Sequence, residues 1–231
     1  MIDREKVKLE AKEKMKGNML EFWIAMIIIS VITWVINNLP GFFGAELYED
    51  TELFGIPVKQ ATTAGSAWGV VAGSITSLLT VMMVYWILSI IRGKKAPWEE
   101  AAKFAGKHAI TIMLVSLAVG IMAGIGIVLL IIPGIILILG FSQVDPIIVD
   151  NPDLPIIDVI KKSWEIMNGH KMEYLVFILS FILWIIASLL IIPAIYAVPY
   201  IEFASAIYYT KLIGETSKAK KEAKKEAEAT E

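Results

Sequence analysis

Residues 108–144 read HAITIMLVSLAVGIMAGIGIVLLIIPGIILILGFSQV, thirty-seven positions without Asp, Glu, Lys or Arg. At 1.5 Å per residue one helix of this length would reach about 55 Å, far beyond a ~30 Å hydrocarbon core. Pro133 removes a helical donor and crowds the turn before it, so it divides the run. The stretch therefore predicts a membrane hairpin, crossing over about 109–131 and returning over about 133–149.

The same pattern recurs downstream. Residues 174–210 are again thirty-seven long, interrupted only by Glu202 and broken at Pro193, which predicts crossings over 172–191 and 193–213. Leu129-Leu130-Ile131-Ile132-Pro133-Gly134 matches Leu189-Leu190-Ile191-Ile192-Pro193-Ala194 at a separation of 60. Upstream, the uncharged runs 22–45 and 61–91 predict crossings over 19–38 and 68–91. Lys16-Gly17-Asn18, Ala105-Gly106-Lys107-His108 and Asn168-Gly169-His170-Lys171 each stand just before a crossing. The expected fold is an all-α polytopic membrane helix bundle of six transmembrane helices. It is built from three repeats, each a polar or amphipathic helix, a glycine corner and a helical hairpin. Parallel repeats of this kind favour a pseudo-threefold arrangement about the membrane normal. A single six-span domain over 1–216 and a charged tail over 217–231 are expected.

Charge gives the orientation. Twenty of the twenty-one Lys and Arg residues fall on one side of this topology, and only Lys59 on the other. Short basic loops stay in the cytoplasm, so the expectation is a multi-pass protein of the cytoplasmic membrane with both termini inside. A composition of 57% hydrophobic and 19% charged residues agrees, being more apolar than soluble domains. The chain has no cysteine, so disulfides and Cys-ligated metal centres are excluded. The charged leader is long and the apolar run after it exceeds a signal peptide's core, so no cleavage is expected.

The three leading helices differ in quality. Ile156, Ile160, Trp164 and Met167 form a stripe opposite Asp158, Lys161 and Glu165, with Trp164 as the expected interfacial anchor. Trp98, with Pro97, Ala101 and Ala105, gives a weaker stripe and a second anchor. Residues 3–16 are mostly charged and read as a solvated helix. The tail from 217, rich in Lys, Glu and Ala, reads as a solvated helix or as disordered.

Ionisable groups inside the apolar runs are few. Asp145 lies about 18 Å along the fourth crossing and Glu202 about 14 Å along the sixth, and a carboxylate at such depth costs on the order of 2.5–3.5 kcal/mol. Each must face the bundle interior, find a partner or be protonated, which makes both the candidate ligand or ion sites. Pro146 leaves the Ser142 carbonyl without its helical donor, and Pro199 does the same for Ile195, so polar backbone is expected near both acids.

Gly69 with Gly73, and Gly120 with Gly124, have the spacing that lets helices approach closely, within a monomer or in a homo-oligomer. The external segment 39–67 carries Glu46, Glu49, Asp50 and Glu52 against Lys59, and its Phe42, Phe43, Tyr48 and Phe54 suit either a binding loop or a lipid-facing cap. His108 and His170 sit at glycine corners, and Trp23, Trp68 and Trp86 read as interfacial or packing aromatics. No metal motif, phosphate loop or nucleophilic triad is present, so no catalysis, metal or cofactor is expected, and no nucleic acid.

Asp150-Asn151-Pro152, Ser163, Met167-x-Gly169-His170-Lys171, Ser180-Phe181-x-x-Trp184, Pro199-Tyr200 and Tyr208-Tyr209 together resemble an uncharacterised bacterial integral membrane family, the domain of unknown function 975 family. The chain departs from that pattern at Leu183, where the family often has glycine, and at Tyr208, where it has phenylalanine. The resemblance implies a multi-span membrane protein without an assigned activity, and association of some relatives with bacteriocin systems brings peptide export or self-protection into view. With the lipid bilayer as its solvent, the chain is expected to bind a membrane-active peptide or lipid-like ligand without catalysis. Proton- or cation-coupled transport through Glu202 and Asp145 is the alternative, and an assembly scaffold is a third.

Overall fold

The computed structural model describes residues 2–53, 56–94, 97–129, 131–188 and 191–229. Phe54, Lys95, and the Leu130, Leu189 and Leu190 of the repeated motif lie outside the described residues. Among the described residues the chain is helical nearly throughout, with one small antiparallel strand hairpin. Helix α1 (Arg4–Met15) leads to α2 (Met19–Phe42), strands β1 (Tyr48–Leu53) and β2 (Ile56–Ala61), and α3 (Thr63–Ile91). Helix α4 (Trp98–Lys107) precedes the pair α5 (Ala109–Leu129) and α6 (Ile131–Phe141), and α7 (Val144–Asp150) follows. Helix α8 (Ile156–Ile166), the short α9 (Lys171–Leu179) and α10 (Ile182–Ala187), and the long α11 (Ile191–Ala229) complete the fold.

Among the described residues four segments are long and apolar enough to cross a membrane: Met19–Phe42, Thr63–Ile91, Ala109–Gly126 and Ile132–Asp150. The hairpin expected at 108–144 is present as α5 and α6, which turn back on each other closely. A Cβ on Gly126 would stand 2.5 Å from the Leu137 Cδ1 and 3.2 Å from the Cα of Gly134, so any larger residue there would push the two helices' atoms apart. Pro133 does not separate the helices. It is the third residue of α6, in the first turn, where a missing donor costs nothing, and Pro193 holds the same place in α11.

Two expected crossings are not single helices. The return strand of the hairpin pauses at Ser142 and Gln143 before α7, where Pro146 interrupts the ladder and the Ser142 hydroxyl bonds the Leu139 carbonyl at 2.8 Å. The segment 172–191 divides into α9 and α10 at Ser180 and Phe181. There the Ser180 hydroxyl takes the Phe177 carbonyl at 2.5 Å, tightening the turn, and Lys8 Nζ donates to the Ser180 carbonyl at 3.2 Å. Helix α11 continues past residue 217 to Ala229.

The packed core gathers at one end of the bundle, here called proximal, where α1, α4 and α8 pack. Trp86, Phe22, Phe177, Phe203, Tyr208 and Tyr209 are fully buried there. Phe177 stacks on Tyr208 at 4.8 Å and meets Phe181 edge-on at 5.2 Å. Helix α1 is not the solvated helix its charges suggest. Val7, Ala11 and Met15, spaced by four, are buried to 1% exposure or less and face α11, while Glu10 pairs with Lys211 at 2.7 Å. Asp3 caps its first turn by accepting from the N–H groups of Glu5 and Lys6.

The stripe expected on α8 is rotated. Val159, Ser163, Ile166 and the following Met167 are its buried positions, and the Ser163 hydroxyl donates to the Gly140 carbonyl at 2.8 Å. At the distal end the glycine faces of α3 and α5 stay apart within the chain. A Cβ at Gly69, Gly73, Gly120 or Gly124 would meet no neighbouring atom within 4 Å. The two helices last touch where the Ser116 hydroxyl donates to Ser77 at 3.0 Å, and beyond it Gly69, Gly73, Ser74 and Gly120 line an open groove of about 540 Å³.

Candidate functional site

The break before α7 sets Asp145 one residue inside that helix, and α11 carries Glu202 about a dozen positions after its start. Residues 57 apart in sequence thereby line the same cavity, of about 290 Å³. Thr80, Val84 and Ile87 of α3 form one wall, Ser142, Gln143 and Pro146 another, and Tyr174, Ser205 and Ala206 the rest. Protein surrounds both acids on most sides, yet Asp145 is only half-buried and Glu202 exposed, because both border this opening. Neither carboxylate has a hydrogen-bond or ion-pair partner among the described residues. Two carboxylates around one small space in a low-dielectric surrounding repel each other, and a cation or a proton between them relieves both.

The hydroxyls and the amide of the walls were not singled out from the sequence. The adjacent Ser142 and Gln143 in an otherwise apolar run, three residues before a proline, were the signal available. In the structure the Gln143 amide donates to the Ser142 hydroxyl at 2.8 Å, so both side chains are held at the cavity edge.

The proline expectation holds in part. Pro199 does free the Ile195 carbonyl, but that oxygen is taken by the Trp23 indole N–H at 2.9 Å and offers nothing to the acids. Pro40 in α2 frees Ile36 in the same way, and the Trp68 indole donates to it at 3.0 Å. These two tryptophans act as donors to defective helix ladders, tying α2 to α11 and α3 to α2.

A second polar cluster closes the proximal end of the cavity walls. Arg92, just past α3, forms a two-pronged pair with Asp150 at 2.6 and 2.9 Å, and the Tyr209 hydroxyl lies 3.0 Å from Asp150 and 3.1 Å from the Pro146 carbonyl. The hydrogen bonds to Asp150 hold the Arg92 guanidinium above its ordinary value. One clamp therefore joins α3, α7 and α11.

The remaining candidates have structural partners. Trp98 stacks on Trp86 at 4.8 Å and 20°, half-buried. Trp164 covers Gly140, leaving no room for a Cβ there, and carries Lys171 Nζ 3.5 Å from its ring centre while 37% exposed. His170 meets Glu173 at 3.0 Å, and the other oxygen of Glu173 accepts the Ile2 N–H at 2.5 Å. His108 packs on Phe104. Among the described residues no group of three or more His, Asp or Glu is placed to hold a metal ion. The segment between α2 and α3 contains the β hairpin, which pairs Tyr48 with Ala61 through Leu53 with Ile56, and Lys59 stands 3.7 Å from Asp50.

Residues that carry the family resemblance recur in these contacts: Asp150 and Tyr209 in the clamp, Ser163 on Gly140, Lys171 on Trp164, and Phe181 against Tyr200 at 5.3 Å. No curated protein and no solved structure matches the chain. A family model does match, over residues 102–216, and it is described as Protein of unknown function (DUF975). This stretch, from α4 to the middle of α11, belongs to that family, the one its sequence resembles.

Proposed function

We propose that this chain is a six-crossing protein of the cytoplasmic membrane that binds a small cation, or a proton, between Asp145 and Glu202 in the course of coupled transport. The observation that carries the reading is the convergence of two unpartnered carboxylates from separate helices on one cavity walled by Thr80, Ser142, Gln143, Tyr174 and Ser205. A space of about 290 Å³ suits an inorganic or small organic cation and is too small for a peptide chain. The proximal end, with α1, α4 and α8, is the cytoplasmic one, because nearly all the basic residues belong there. The fifth crossing is then made by α9 and α10 in series, and the sixth by the first half of α11. The protein acts on its ligand by binding and release, without covalent chemistry.

Protein in lipid nanodiscs, titrated with Na⁺, K⁺, ammonium and methylammonium at several pH values, tests this reading. At least one cation is expected to raise the melting temperature in competition with protons, and Glu202→Gln with Asp145→Asn to abolish the rise while leaving the helical content unchanged. If no cation stabilises the wild type and the double variant melts with the same pH dependence, neither acid takes part in ligand binding.

A further inference from the structure

A second polar cavity, of about 390 Å³, lies at the proximal end of α3. It is lined by Tyr85, Ser89, Arg92 and Lys94, with Glu100 of α4 opposite and Leu88 and Val149 completing it. It shares no lining residue with the acid cavity. Its charges have both signs and unequal partners. Arg92 is fixed by Asp150, Glu100 accepts the Tyr85 hydroxyl at 2.7 Å, and the Ser89 hydroxyl is turned to the Tyr85 carbonyl. Lys94 has no partner among the described residues, and Glu100 retains a second carboxylate oxygen.

A ligand that completes this set must bring an anion to Lys94 and Arg92 and a hydrogen-bond donor to Glu100. A phosphate with a primary amine two carbons away has that form. Two of its lining residues, Tyr85 and Glu100, are one and two positions in sequence from Trp86 and Trp98, which stack where α4 packs on α3. On the topology proposed above, which this step uses, that is the inner headgroup layer. We infer that the cavity holds the headgroup of a phosphatidylethanolamine-type phospholipid from the inner leaflet, its phosphate on Lys94 and Arg92 and its ammonium on Glu100. A choline headgroup carries the same charges but has no N–H to give, so Glu100 discriminates against it. Free phosphoethanolamine offers the same chemistry without the acyl chains, and the test separates the two sources.

Native mass spectrometry of protein released from nanodiscs of equal phosphatidylethanolamine and phosphatidylcholine reads the retained lipid directly. The wild type should retain the ethanolamine lipid several-fold over the choline lipid. Lys94→Gln removes a charged hydrogen bond and should lower total retention roughly tenfold. Glu100→Gln should leave retention but equalise the two lipids. Lys94 is exposed and unpartnered, so its variant keeps the fold, as circular dichroism will record. Unchanged retention in Lys94→Gln, or an undiminished preference in Glu100→Gln, overturns the proposal. Displacement of the lipid by equimolar soluble phosphoethanolamine overturns the lipid as the source. Because neither variant touches Asp145 or Glu202, failure of the cation reading would leave this result standing, and the reverse.

Discussion

Half of the residues in the apolar window of Ile132–Asp150 are buried, but only 11% of those in α2. The two ends of the molecule differ in the same sense. At the proximal end, aromatic rings interlock and ion pairs, a serine, an indole and a tyrosine bridge helices. At the distal end α3 and α5 separate, and Ile27, Val31, Trp34 and Val70 are exposed on α2 and α3. In lipid, apolar side chains gain little by touching each other rather than acyl chains, so helices associate through shape and through hydrogen bonds. Length and hydropathy make a helix a candidate to cross a membrane, whereas the polar contacts between helices, most of them proximal, decide which helices stay together.

Three experiments probe this contrast, each read as unfolding free energy in mixed micelles. The largest effect is expected from Phe177→Ala. That ring lies between Tyr174, Tyr208 and Phe181, and its removal should cost about 3–5 kcal/mol, against less than about 0.5 kcal/mol for Val70→Ala on the open distal face. Equal costs would mean that the distal half is packed in the membrane.

Glycines offer an intermediate test of opposite sign. Gly140→Ala drives a methyl into the Trp164 ring and should destabilise by about 1–3 kcal/mol. Gly73→Ala meets nothing and should stabilise α3 by up to about 1 kcal/mol. A destabilising Gly73→Ala would show that another helix fills the groove in the bilayer.

The smallest effect is expected from Trp23→Phe, which keeps the ring contact with Phe22 but deletes the donor to Ile195, and should cost about 1 kcal/mol. Trp23→Phe combined with Pro199→Ala restores the helical donor for that carbonyl and should recover most of the loss. If the pair shows no coupling, the indole bond is incidental.

Much of this fold is legible in the sequence. The hairpin at 108–144, the start of α5 at Ala109 and the pause before Pro146 follow from run length, a glycine corner and a proline. The division of 172–191 does not, because Ser180 and Phe181 carry no helix-breaking signal and act through a side-chain bond to Phe177 and through Lys8, 172 residues away. The buried face of α1 is hidden by composition, three small or flexible apolar residues among many charges, although their spacing of four was there to be counted. The glycine pairs make no close contact with each other within the chain, since close-contact spacing gives permission to pack and names no partner. For the acid cavity, Asp145 and Glu202 stand out singly as charges in apolar runs. Their meeting depends on the register of α7 against α11, which is set by the proximal clamp of Arg92, Asp150 and Tyr209 and is not written in either run alone.

The N-terminal contacts fix an order of events during synthesis. Ile2 bonds Glu173, Lys8 bonds Ser180 and Trp23 bonds Ile195, separations of 171, 172 and 172 residues. On the topology proposed above, a ribosome delivers α1 and α2 to the translocon long before any of those acceptors exists. Helix α2 must then wait with its indole donor unmet, and the bundle closes only when α11 arrives. Stalled or shortened chains ending before residue 195 would expose that waiting helix to membrane proteases and chaperones.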